Sequence, residues 1–167
     1  MSRPRNATAT PVREPLVQPW VPVISLVLAA LGLVVSGYLT YEHFTASTTL
    51  ACPNTSTWNC FTVTTSAQSR LFGIPVALLG VGYFAAMLVL SLPAAWRSRR
   101  PQLRLGRLAL ALGGVVFVGY LVIAELFFVD AICLWCTASH VLALALFGVV
   151  ALGTAFADPT DLRTRDL

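Results

Sequence analysis

The sequence predicts an all-α integral membrane protein: a four-transmembrane-helix bundle with an extracytoplasmic cysteine loop between helices 1 and 2. Three observations lead there. Of the 167 residues, 57% are hydrophobic and 11% are charged, whereas soluble domains carry about 25% charged residues. The apolar residues fall into four runs, each near the ~20 residues that a helix needs to cross the hydrocarbon core. The net charge of +4 comes from eleven arginines with no lysine, most of them clustered in the two tails and in the stretch between the second and third runs. Arginines placed in that way read as topology signals rather than as a nucleic-acid surface. The absence of lysine beside abundant Ala, Leu, Val and Arg suggests a GC-rich bacterial gene.

Residues 1–19 are polar and proline-rich, with Arg3, Arg5 and Arg13, and predict a disordered basic tail. The first span covers about 20–43, with Trp20 and Tyr41 placed as interfacial anchors. It exceeds the ~7–15 apolar residues of a cleaved signal peptide, so an uncleaved anchor is expected. Residues 44–72 form a Thr- and Ser-rich loop whose only arginine is Arg70. Within it Val63, Ala67 and Leu71 recur at helical spacing, which predicts a short amphipathic helix after Cys60 lying on the membrane surface. A second span covers 73–92, opened by Gly73-Ile74-Pro75 and closed by Pro93.

The loop 93–107 holds Arg97, Arg99, Arg100, Arg104 and Arg107. Spans three and four follow at 108–129 and 131–155, with Asp130 expected to N-cap the fourth. A short tail, 157–167, carries Arg163 and Arg165. By the positive-inside rule the 93–107 loop and both termini are cytoplasmic, in a multi-pass protein of the bacterial inner (plasma) membrane. Cys52, Cys60, Cys133 and Cys136, the only four cysteines, then all lie on the extracytoplasmic side, where disulfides persist.

Cys133-Leu134-Trp135-Cys136 places two thiols three positions apart, on one face of a helix and close enough to open and close a disulfide. At a helix N-terminus the macrodipole favours the thiolate, which is the reactive species. Cys-x-x-Cys is also half of a zinc site, and cysteine is a common small hydrophobe in apolar helices. Cys52 and Cys60 enclose a loop of seven residues. One pair in a loop and one on a helix suit electron relay by thiol–disulfide exchange. Their combined spacing is poor for a tetrathiolate zinc site, so no metal is expected.

Taken in order, Cys60-Phe61-Thr62-Val63-Thr64-Thr65-Ser66, Phe72-Gly73-Ile74-Pro75 and Cys133-Leu134-Trp135-Cys136-Thr137 resemble the vitamin K epoxide reductase family, over about Val21 to Ala155. The resemblance implies a membrane thiol–disulfide oxidoreductase that reoxidises a secreted or membrane-anchored thioredoxin-like or DsbA-like protein and passes the electrons to membrane quinone, menaquinone or ubiquinone. It implies that Cys52 meets the partner, that Cys60 exchanges with Cys133, and that Cys136 is the thiolate facing the quinone. Ser66 matches a serine near the quinone pocket, although it could equally satisfy backbone in a short helix. Many bacterial members carry a fifth span and a fused thioredoxin-like domain; this chain ends soon after its fourth span, so the partner is expected to be a separate protein. The asparagine that contacts vitamin K in vertebrate members has no counterpart over Pro75 to Gly80, which argues for a respiratory quinone.

Further residues join the candidate site. His140, one turn below Cys136, could exchange protons with the quinone or serve as pocket wall. Glu125 is an ionisable residue inside the third span and hence a functional candidate, or an interfacial one. Phe72, Tyr83, Phe84 and Trp135 could line an aromatic quinone pocket, or any one of them could take an ordinary lipid-facing or packing role. Two rivals remain at this point. One is a DsbB-like quinone reductase, whose Cys-x-x-Cys lies in the first outer loop rather than after the third span. The other is a non-catalytic or metal-binding membrane subunit with structural cysteines.

Overall fold

The computed structural model describes residues 18–45, 52, 55, 57–98 and 100–155. The expected tails lie outside the described residues apart from Gln18 and Pro19, as do 46–51, 53–54 and 56 of the cysteine loop. Helix α1 spans Trp20–Thr45, and its buried positions Val21, Ser25, Ala29, Gly32, Ser36 and Leu39 recur every three or four residues along one face. Most of them are small, which lets neighbouring helices approach closely; in lipid that packing, rather than apolar burial, holds helices together. Ser25 and Ser36 donate to the carbonyls of Val21 at 2.8 Å and Gly32 at 2.7 Å, so their hydroxyls are satisfied inside the helix.

Against α1 pack α3 (Val76–Leu90) and α6 (Leu134–Ala155). Helix α5 (Pro101–Ala124) packs along α6 and touches α3 only lightly. Among the described residues, three helices are long and apolar enough to cross a membrane: Trp20–Thr45, Pro101–Val129 and Leu134–Ala155. The chain is a predominantly helical membrane protein, with exposed Val23, Val34, Leu105, Val116 and Val141 on the outside of the bundle.

Several element boundaries differ from the sequence-based expectation, each for a local reason. The run expected as a span over 73–92 yields α3, with 15 residues, or about 22 Å at 1.5 Å per residue against ~30 Å of hydrocarbon. It starts late because β1 (Arg70–Leu71) and β2 (Ile74–Pro75) pair antiparallel, with Arg70 opposite Pro75. Phe72 and Gly73 form the turn between them, with φ of 52° and 81°. The stretch 93–107, expected as a loop, is largely helical. Pro93 opens α4 (Pro93–Arg97) and Pro101 opens α5, both in the first turn where a missing N–H costs nothing.

Two arginines of that stretch thereby tie helix ends together. Arg107 is buried, its guanidinium carbon lies 3.5 Å from the Trp96 ring centroid, and its Nε donates to the Leu90 carbonyl at 2.9 Å. Arg104 donates to the Thr154 carbonyl at 2.9 Å. The helix expected after Cys60 is present as α2 (Cys60–Thr65) but is one and a half turns long; Ala67 lies in a following 3₁₀ turn and Leu71 in β1.

Candidate active site at the cysteine face of the bundle

The loop cysteines are docked by a short stretch of backbone pairing. Trp58 and Ile132 form a parallel bridge. The Ile132 N–H donates to the Thr57 carbonyl at 2.9 Å, and the Asn59 N–H donates to the Ile132 carbonyl at 3.1 Å. Asn59 also caps α2, its side chain accepting the Thr62 N–H at 3.0 Å. Cys60 is therefore the first residue of a capped helix whose entry strand lies beside the segment leading to Cys133. Replacing Asn59 by Ala is expected to cost about 1 kcal/mol locally. Amide exchange over 60–65 should quicken roughly fivefold, with the long helices unchanged.

Cys52 and Cys60 form a disulfide with Cα atoms 6.1 Å apart, while Cys133 and Cys136 are free thiols. Buried Cys60, Val63, Leu39, Ala131 and Cys133 make one apolar cluster, and half-buried Cys52 and Cys136 pack against it. All four sulfurs thus belong to a single cluster.

The pairing also decides where α6 begins. Asp130, expected to cap α6, instead adopts a left-handed conformation, φ 52°, and its N–H bonds back to the Glu125 carbonyl across a π-helical turn, Glu125–Val129. The next residues are held extended by the 57–59 segment, so the helix cannot form until Leu134. Cys133 takes over the capping position. Its carbonyl accepts the Thr137 N–H at 2.9 Å and its Sγ accepts the Cys136 N–H at 3.2 Å, the pattern usually made by a serine or aspartate oxygen. Cys133 lies just outside α6, where hydrogen bonds from the Cys136 thiol and its backbone N–H hold it below the ordinary thiol value, against the opposing effect of burial. That is the direction expected for a reactive thiolate.

On the other side of Cys136 lies a cavity of about 370 Å³ enclosed by α1, α2, α3, α5 and α6. The volume falls in the ~300–1,000 Å³ range of small-molecule sites. Its walls are mostly apolar, and Cys136, His140, Glu125, Tyr83 and Ser66 all line it. His140 and Glu125 are buried. Glu125 opens the π turn, a distortion that recurs at functional sites, and its carboxyl accepts a hydrogen bond from the Cys133 backbone N–H. One carboxylate thus links the cavity wall to the helix head that carries both thiols.

Two of the expected pocket residues lie elsewhere. Phe72 is 96% exposed, because the left-handed turn throws its side chain away from the bundle. Trp135 faces α1, edge-to-face with Tyr38 at 5.1 Å between ring centroids, within the cysteine cluster rather than on the cavity. Cys133 is fully buried and does not line the cavity, so Cys136 is the thiol that borders it. The cavity also has residues that the sequence does not single out, among them Ser139, His43 and Gly114. Spacing from Cys136 could have found Ser139, which sits one turn along the same face. His43 and Gly114 carry no sequence signal of this kind.

The chain matches the model of the Vitamin K epoxide reductase family over residues 23–151. It belongs to that family. Its members are membrane thiol–disulfide oxidoreductases that work with quinone-type electron carriers, and oxidoreductase chemistry accordingly belongs to this chain. The match includes all four cysteines and every residue that lines the cavity.

Proposed function

We propose that this protein oxidises a secreted or membrane-anchored thioredoxin-like or DsbA-like dithiol and passes the electrons to membrane quinone, menaquinone or ubiquinone. The observation that carries the reading is the position of Cys136: one neighbour is Cys133, inside the cluster that includes Cys60, and the other is an apolar cavity with a few polar groups. α3 makes a fourth crossing, its short length completed by the hairpin at one end and α4 at the other. With Arg97, Arg99, Arg100, Arg104 and Arg107 at the cytoplasmic face, both termini are cytoplasmic and the cysteines extracytoplasmic.

The partner's thiolate attacks Cys52 in the Cys52–Cys60 disulfide, and the partner leaves oxidised with Cys52 and Cys60 reduced. The Cys60 thiolate attacks Cys133 Sγ of a Cys133–Cys136 disulfide, Cys136 departs as the thiolate, and Cys52 resolves the mixed disulfide. Two electrons and two protons then leave the Cys133–Cys136 dithiol as its disulfide re-forms, and the quinone becomes a quinol. His140 and Glu125, buried ionisable groups on the cavity wall, carry the protons.

The fit of a quinone rests on the cavity's size, its apolar walls and its buried polar groups. Purified protein in detergent, given a reduced thioredoxin-like donor, is expected to reduce a soluble quinone analogue catalytically. Donor oxidation without quinone reduction, across both benzoquinone and naphthoquinone acceptors, would overturn the reading.

A further inference from the structure

Three residues that line the cavity carry a buried polar atom with no hydrogen-bond partner among the described residues: Tyr83 Oη, Ser139 Oγ and His43 Nε2. Burying a hydroxyl without a partner is unfavourable, so such groups call for a partner that binds there.

Ser139 is anomalous for its setting. Hydroxyls on these helices turn back to a carbonyl one turn earlier: Ser36 to Gly32 at 2.7 Å, Thr40 to Ser36 at 2.7 Å, Thr137 to Cys133 at 2.9 Å. That is the ordinary resolution in lipid. Ser139 makes no such bond, and it lies one turn beyond Cys136 on the same face of α6. Tyr83 reaches in from another wall. Its hydroxyl rests against α5 at Gly114, where a Cβ would come within 2.5 Å of Oη. The missing side chain at Gly114 is what leaves room for that hydroxyl.

We propose that the hydroxyls of Ser139 and Tyr83 are the two hydrogen-bond donors that hold the ring oxygens of the quinone acceptor, Ser139 on the Cys136 side and Tyr83 on the α3 side. The inference rests on the quinone reading above and deepens it. Two donors on different helices select an acceptor with oxygens at opposite ends of a ring. They also fix the ring's depth beside the Cys136 thiol, which raises affinity without entering the electron-transfer step. Both are positioning residues.

The test compares wild type, Tyr83→Phe, Ser139→Ala and Gly114→Ala in detergent, by thermal unfolding with and without a short-chain ubiquinone or menadione and by steady-state kinetics. Tyr83→Phe and Ser139→Ala remove groups that are unpaired in the free protein, so their quinone-free Tm should equal or exceed that of wild type. The quinone-induced rise in Tm should shrink, and KM for quinone should increase about fivefold for each, with kcat little changed. Gly114→Ala, which displaces the Tyr83 hydroxyl, should raise KM in the same way. A lowered quinone-free Tm combined with a wild-type quinone-induced shift and KM would make the hydroxyls structural and overturn the donor pair alone. If wild type itself shows neither a quinone-induced shift nor turnover, the donor pair falls together with the quinone reading.

Discussion

Cys136→Ala is expected to lower quinone reduction by roughly three orders of magnitude or more, while the Cys52–Cys60 disulfide still exchanges with a reduced dithiol donor. The asymmetry follows from geometry. Cys136 is the thiol on the cavity wall, and Cys133 is sealed in the apolar cluster behind it. Without Cys136, no disulfide can form at the helix head, so two electrons cannot leave together. Residues that act as one chemical unit lose nearly everything when one member is removed. The loop disulfide is held by its own Cys52–Cys60 bond and by α2 with its Asn59 cap, none of which needs the Cys136 thiol, so donor exchange should survive. Stopped-flow quinone absorbance and thiol counting on the same samples separate the two steps.

Cys60→Ala should sever the protein donor from the quinone just as completely, but at the other end of the relay. Cys133 and Cys136 remain, and a small dithiol that diffuses to the helix head should still support quinone reduction. The protein donor should not, because the sulfur that reaches Cys133 is gone. Cys60 is 1% exposed, so the substitution also leaves a small void at the head of α2. Cys60→Ser, closer in size, keeps the packing and should give the same kinetic result. Full transfer from the protein donor to quinone by either variant would sink the relay.

Much of this arrangement was legible in the sequence because it is carried by local patterns. Apolar runs and clustered arginines mark the helices, and the spacing of Cys133 and Cys136 puts two sulfurs on one turn. His140 and Glu125 were legible for a similar reason: an ionisable side chain in an apolar run attracts notice wherever it sits. What escaped depends on contacts between distant segments. The start of α6 is set by residues 57–59 pairing with 131–133, so neither the end of the helix at Asp130 nor the capping role of Cys133 can be read from 125–137 alone. The start of α3 is set by the Arg70–Pro75 hairpin, whose left-handed turn also carries Phe72 out of the pocket. Trp135, a candidate pocket aromatic by sequence, takes the packing role instead because Tyr38 on the distant α1 meets it edge-to-face. Ser139 was missed although its spacing was available, because a helical serine ordinarily bonds to its own helix and raises no question.

The most direct test of the relay is to keep only Cys60 and Cys133, by replacing Cys52 and Cys136 with Ala, and to map disulfides by mass spectrometry after mild oxidation of the detergent-purified protein. A Cys60–Cys133 cross-link within one chain is expected, formed rapidly and in high yield. Two thiols that stay free, or that join only between separate chains, would contradict the relay.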